Sequence, residues 1–210
     1  MSKGSWKSTN SDKVKPLVTI LPKDKEFFKT LSRTGHLNKD MCKQILNTNK
    51  DPKRVQTYLK NNIIQKRLDD KGKECYKLTP KGKDYIQKNI PEINGFYNSQ
   101  STKHDLKFAE IYFKLNDTQK ENFLNEYELK NYIFDKWEQM GQQGEIYKSM
   151  YEDKENKTFS LADGAIVEYV NGVEIITVLE ITTNYYSETD IQMKIEMANT
   201  INAEIKFIKS

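Results

Sequence analysis

The sequence predicts a mixed protein, α+β in its first half and α/β in its second, and three observations carry that prediction. Apolar residues recur at helical spacing through most of residues 22–62, then give way to short alternating runs around an Asp69-Asp70-Lys71-Gly72 turn. A second hairpin lies near the C-terminus, where two β-branched runs flank Asn171-Gly172, with helical patterns on either side. Charge divides the chain at about the same place as the pattern. Residues 1–103 hold 23 Lys/Arg against 10 Asp/Glu, a balance of +13, whereas residues 104–210 hold 11 against 20, a balance of −9.

In the first unit, residues 1–21, polar and basic up to Pro16, are expected to form a loose basic tail. Pro22 suits the first position of a helix, Phe27, Phe28 and Leu31 give it an apolar stripe, and Gly35 stops it. Asn38 is placed to cap a second helix carrying Met41, Cys42 and Ile45. A third helix is expected from about Asp51-Pro52 to Asn62. Val55, Tyr58 and Leu59 would face inward, leaving Lys53, Arg54, Gln56, Thr57 and Lys60 outward. Two short strands follow, Ile63–Leu68 and Glu74–Leu78, and Thr79-Pro80 opens another helix. Tyr58 and Cys42 read as core residues. Residues 91–103 carry Pro, Gly, Asn and Ser without periodicity and are expected to be a linker.

The second unit, residues 104–210, opens with a helix from about His104 to Leu115. Its stripe is Phe108, Ile111, Tyr112 and Leu115, with Asp105 turned towards the same side and Glu110 away from it. Residues 122–151 are ambiguous: Phe123–Leu129 is compatible with a strand, the remainder with an aromatic-rich helix. The Asn171-Gly172 hairpin is the most informative part of the chain. A two-residue turn pairs Val170 with Val173 and, counting outward, sets Asp163 opposite Glu180. Both would share a face with Ala165, Val167, Ile176 and Val178. Two acids opposed on an apolar face are costly, and their presence points to a divalent metal, a shared proton or another purpose. Ser187 to Asn202 reads as a helix with Ile191, Lys194, Ile195 and Ala198 inward, and Ala203–Ile208 as a closing strand.

Composition bounds the function. The split in charge suits a first unit that meets a polyanion. Two cysteines without a CxxC spacing and two histidines far apart in sequence predict neither a zinc site nor a disulfide framework. The longest apolar run of the N-terminal stretch, Leu17–Leu21, is too short for a signal core or a membrane span, so a cytoplasmic protein without a membrane partner is expected.

Three helices, a β-hairpin and a terminal helix, with Tyr76-Lys77-Leu78-Thr79-Pro80-Lys81-Gly82 at the exit, resemble the winged helix–turn–helix fold over residues 22–90. That resemblance implies that the third helix enters the major groove of double-stranded DNA. Arg54 and Gln56 would reach base edges, Lys53, Lys60, Lys71 and Lys73 would meet phosphates, and Thr57 would lie on the same DNA-binding face. Homodimerisation is common among winged helices that read palindromes, but no residue pattern here fixes it.

In the second unit, Ala162-Asp163-Gly164 entering a strand and Leu179-Glu180-Ile181-Thr182 on the next resemble the core of the PD-(D/E)xK nuclease superfamily. Together with His104-Asp105-Leu106 and Asn125–Leu129, they are similar to the plasmid replication–relaxation family, whose members join an N-terminal winged helix to such a domain. The resemblance implies Mg²⁺ held by Asp163 and Glu180, with Asp105 as an acid of the first core helix. Thr182 stands where the pattern has its lysine, and Lys194 is the candidate replacement. Three functions follow as expectations. The first is a DNA-binding protein at an origin of replication or transfer of a plasmid, phage or conjugative element, its second half recruiting other proteins of the element. The second is a Mg²⁺-dependent endonuclease or nickase, and the third a transcriptional regulator. The sequence leaves open whether the chain is an enzyme.

Overall fold

The computed structural model describes residues 20–47, 53–93, 95–98, 101–183 and 185–210. The first helix, α1 (Pro22–Thr34), starts where expected, with the Leu21 N–H donating to the Asp24 carboxylate at 2.7 Å. It ends on Gly35 at φ +81°, a conformation in which a β-carbon would be strained. The side chain of Asn38 accepts the N–H groups of Asp40 and Met41 and so caps α2 (Lys39–Leu46). Helix α3 is described over Lys53–Lys60, so its expected start at Asp51-Pro52 lies outside the described residues, as does nearly all of the expected tail. Strands β1 (Leu37–Asn38), β2 (Ile64–Leu68) and β3 (Glu74–Leu78) form an antiparallel sheet in the order β1-β3-β2, and Thr79 caps α4 (Pro80–Asn89). Phe27, Phe28, Leu31, Leu46, Tyr58, Ile63, Ile64 and Ile86 form the core of this half.

The second half begins with α5 (Thr102–Lys114) and a short α6 (Asp117–Glu121). Only Phe123–Asn125 of the ambiguous stretch becomes a strand, β4. Asn125 then caps α7 (Glu126–Gln139), with the Glu128 side chain returning the bond to the Asn125 N–H, and α8 (Gln142–Glu152) follows. The polar cap thus ends the strand that the apolar run Phe123–Leu129 suggested. Strands β5 (Gly164–Val170) and β6 (Val173–Thr182), helix α9 (Glu188–Asn199) and β7 (Glu204–Lys209) complete the chain. The sheet runs β4-β5-β6-β7, with β6 and β7 parallel and the other pairs antiparallel. One face packs on Leu129, Ile133, Trp137 and Met197, the other on Phe108 and Tyr112 of α5.

Among the described residues the fold is α+β, with nine helices and two sheets. No described helix is long and apolar enough to cross a membrane. The segment expected as a linker is not a loose tether. Ile93 and Tyr97 are buried, and the Tyr97 N–H donates to the Ser32 carbonyl at 2.7 Å. Ala109 and Phe113 of α5 pack into the core of the first half, and Arg33 of α1 donates to the Lys120 carbonyl. Burial of apolar surface therefore runs across the charge boundary, which the polar composition of residues 91–103 conceals.

Candidate functional site

The hairpin register is the one the Asn171-Gly172 turn dictates. Both residues adopt positive φ (51° and 78°), Val170 pairs with Val173, and the ladder runs back to Gly164 opposite Leu179. Asp163 and Glu180 are therefore the next pair outward, and both are buried, at 2% and 0% exposure. The Asp163 N–H donates to Glu180 Oε2 at 3.1 Å, and the Ile181 N–H donates to Asp163 Oδ2 at 2.8 Å. Lys194 of α9 lies where its helical stripe predicts. Its ammonium stands 2.9 Å from Glu180 Oε1 and donates to the Leu161 carbonyl at 2.6 Å. Tyr186 donates to the same carboxylate oxygen from the turn before α9.

Two histidines, far apart in sequence, meet beside this pair at Asp105. His36 Nδ1 lies 2.8 Å from Asp105 Oδ2, and His104 Nδ1 lies 3.5 Å from Asp105 Oδ1. His104 Nε2 lies 3.0 Å from Asp163 Oδ2. Tyr97 donates its hydroxyl to Asp163 Oδ1 at 3.2 Å and stands 3.1 Å from His104 Nδ1, so its oxygen accepts from that nitrogen. With a carboxylate oxygen near each ring nitrogen, Asp105 Oδ1 at Nδ1 and Asp163 Oδ2 at Nε2, the surroundings favour the imidazolium, in which both nitrogens donate. Burial disfavours that charge, but the carboxylates of Asp105 and Asp163 outweigh it and push the pKa of His104 up to about 9. Gly35 makes the approach possible, because a β-carbon there would collide with the Asp105 carboxylate.

The result is a buried row of ionisable groups, Asp105, His104, Asp163, Glu180 and Lys194, assembled from α5, the entry to β5, β6 and α9, with the acids Asp163 and Glu180 side by side and flanked by His104 and Lys194. Burial and the charge of Asp163 raise the pKa of Glu180 to about 7, against the lowering effects of Lys194 and Tyr186. Glu126, at the start of α7, is raised by burial and by Asp163, and its Oε2 is buried with no hydrogen-bond partner among the described residues.

This donor set does not fit the expected Mg²⁺ site. Magnesium keeps a near-octahedral oxygen shell with several waters and needs carboxylate lone pairs turned towards it. Glu180 already takes donors from Lys194, Tyr186 and the Asp163 amide. Asp163 takes them from His104, Tyr97 and the Ile181 amide. Among the described residues no group of three or more His, Cys, Asp or Glu side chains is arranged to hold a metal ion. Asp105 is spent on the two histidines.

The residues expected to contact DNA separate into two sets. Lys53, Gln56 and Lys60 are exposed along one face of α3, at i, i+3 and i+7, and Lys71 and Lys73 are exposed at the β2–β3 turn. Thr57 is half-buried and donates its hydroxyl to the Lys53 carbonyl at 3.0 Å. Arg54 does not face outward as its position suggested. It is 7% exposed, donates from Nε to Asp24 Oδ1 at 2.8 Å and from Nη2 to Asp24 Oδ2, and lies 3.2 Å from the Tyr58 hydroxyl. Tyr58 also donates to Asp24, at 2.5 Å. Burial works against the Asp24 charge, yet hydrogen bonds from Arg54 and Tyr58 hold its carboxyl below the usual range. The i, i+4 relation of Arg54 to Tyr58 was the available signal: a residue one turn from a core tyrosine shares its face.

Comparisons with family models, with curated proteins and with solved structures give no match. The function therefore rests on the geometry of these two regions.

Proposed function

We propose that the protein binds duplex DNA through its first half, a winged helix–turn–helix in which α3 is the recognition helix, and that the nuclease-like second half is non-catalytic. The observation that carries this reading is the exposed row Lys53, Gln56 and Lys60 on α3, with Lys71 and Lys73 at the neighbouring hairpin turn, in the half of the chain whose balance is +13. The β1-β3-β2 sheet and the α1–α2–α3 succession suit that fold. On its resemblance to plasmid replication–relaxation proteins, the DNA would be an origin of replication or transfer.

The buried acids support the second part. A nucleophilic water and a scissile phosphate need open carboxylate lone pairs and solvent access. Asp163 and Glu180 instead have donors on every oxygen and almost no exposure. In this reading they hold the sheet, α5 and α9 in one arrangement, and a partner-binding or assembly role falls to the acidic exterior.

Fluorescence anisotropy of the full chain with labelled duplex, over a series of salt concentrations, tests the reading. Replacing Lys53 and Lys60 by Ala should flatten the slope of log K against log salt by roughly 0.9 for each phosphate no longer neutralised. Supercoiled plasmid with Mg²⁺ or Mn²⁺ should remain uncut. A salt-independent signal, or none at low salt, removes the DNA reading, and Mg²⁺-dependent nicking abolished by Asp163→Asn removes the non-catalytic one.

A further inference from the structure

The exposed face of α3 carries little that can distinguish one base pair from another. Arginine is the usual reader of guanine, and Arg54 is sequestered against Asp24 and Tyr58 inside the first core. Thr57 is half-buried with its hydroxyl spent on the Lys53 carbonyl, and the Asn61 amide just beyond the helix donates to the Thr57 carbonyl at 2.8 Å. Lys53 and Lys60 are donors only, on flexible stems suited to phosphates. Gln56 is different in kind. It is exposed, it sits between the two lysines on the same face, and its amide presents one donor group and one acceptor.

We propose that Gln56 is the specificity-determining residue of α3 and that it selects adenine. The inference rests on the DNA-binding reading above and names what that surface would recognise. In the major groove adenine presents an N7 acceptor beside an N6 amino donor, the pattern a glutamine amide complements with two hydrogen bonds. The row from Lys53 to Lys60 spans about 10 Å of helix axis, roughly three base-pair steps. Lysines at its ends reach the phosphates on either side while the central glutamine points at one base edge. A positively charged face with one two-way hydrogen-bonding group should then give strong salt-dependent binding and discrimination concentrated at a single A·T pair.

The test uses the full chain and a library of randomised duplexes, with selection by the wild type and by Gln56→Ala. The wild type should enrich sites sharing an A·T pair, and exchanging that pair for G·C should weaken its binding about tenfold or more. Gln56→Ala should bind the two duplexes within about twofold of each other, with the salt slope of the wild type, because every phosphate-facing lysine is kept. Urea melts that coincide with the wild type confirm an intact fold at this exposed position. The inference is overturned if Gln56→Ala keeps the A·T preference, or if the preference disappears instead in Arg67→Ala, the exposed arginine of β2. It is also overturned if the wild type binds duplex with the expected salt slope but enriches no A·T position. If the wild type binds no duplex at all, the DNA-binding reading itself fails.

Discussion

The buried imidazolium of His104 ties the stability of the whole chain to pH. Its folded-state pKa is raised from 6.5 to about 9, so the folded protein holds this proton more tightly than the unfolded chain does. Stability from this group is fully present below about pH 6.5 and is lost as pH rises to about 9. A shift of that size corresponds to about 3 kcal/mol. His104 is 3% exposed, so solvent screening reduces it little. Glu180 has the same sign in a lower window: with its folded pKa raised to about 7, its contribution is present below about pH 4.5 and is lost as pH climbs through 7. Urea melts at about pH 6 and about pH 9 read the difference, which should amount to a large fraction of the stability of a domain this size. His104→Gln should be less stable than wild type at the lower pH and nearly level with it at the upper one. The thiols of Cys42 and Cys75, raised by burial to about 12 and about 11, add a further loss above pH 9, so the measurement stops there. A wild type that is equally stable at both pH values, or a slope in His104→Gln as steep as that of the wild type, would refute the imidazolium assignment; the shallower slope due to Glu180 should remain in the variant.

Other variants probe the same architecture. Arg54→Ala leaves Asp24 charged and buried without its main partner and should cost about 3–5 kcal/mol in urea melts; an undiminished stability with relaxed base discrimination would restore Arg54 to the DNA face. Gly35→Ala places a β-carbon at φ +81° against the Asp105 carboxylate, and a lowered Tm with a loss of at least about 1 kcal/mol is expected; a neutral result would mean that Asp105 is not held there. Asp163→Asn should destabilise the protein by about 1–3 kcal/mol, because it weakens the acceptor that serves His104, Tyr97 and the Ile181 amide. Thermal melts of wild type and Asp163→Asn should both be indifferent to Mg²⁺, and a Mg²⁺-dependent rise confined to the wild type would restore the metal site.

What the sequence made legible was local. Asn38 and Thr79 precede helices and cap them through bonds of two to three residues, and Asn171-Gly172 sets a register by turn geometry alone. Lys194 was found because a helical stripe fixes its direction. The illegible parts are long-range pairings. His36 meets Asp105 across 69 residues, His104 meets Asp163 across 59, and Arg54 meets Asp24 across 30. Nothing in residue type or spacing announces which buried acid will find which buried base. Tyr97 was hidden differently: a segment rich in Asn, Gly and Ser looks like solvent-exposed linker until that tyrosine is seen filling a core.

An opposed pair of acids on an apolar strand face signals that something must offset the repulsion, but it does not say what. A metal ion is one solution and a ring of protein donors is another, and both leave the same residues on the two strands. The distinction lies in residues remote from the hairpin. Here His104, Tyr97, Tyr186 and Lys194 arrive from four other segments, and each takes a carboxylate position that a metal and its waters would need. Lys194 fits this solution, since its ammonium is directed at Glu180 and the Leu161 carbonyl. A buried network in which each carboxylate oxygen of Asp163 and Glu180 has a donor favours one arrangement of its elements over the alternatives. In this chain those elements include α5, which also packs on the core of the first half, so the acids of the second sheet help fix how the two halves are joined.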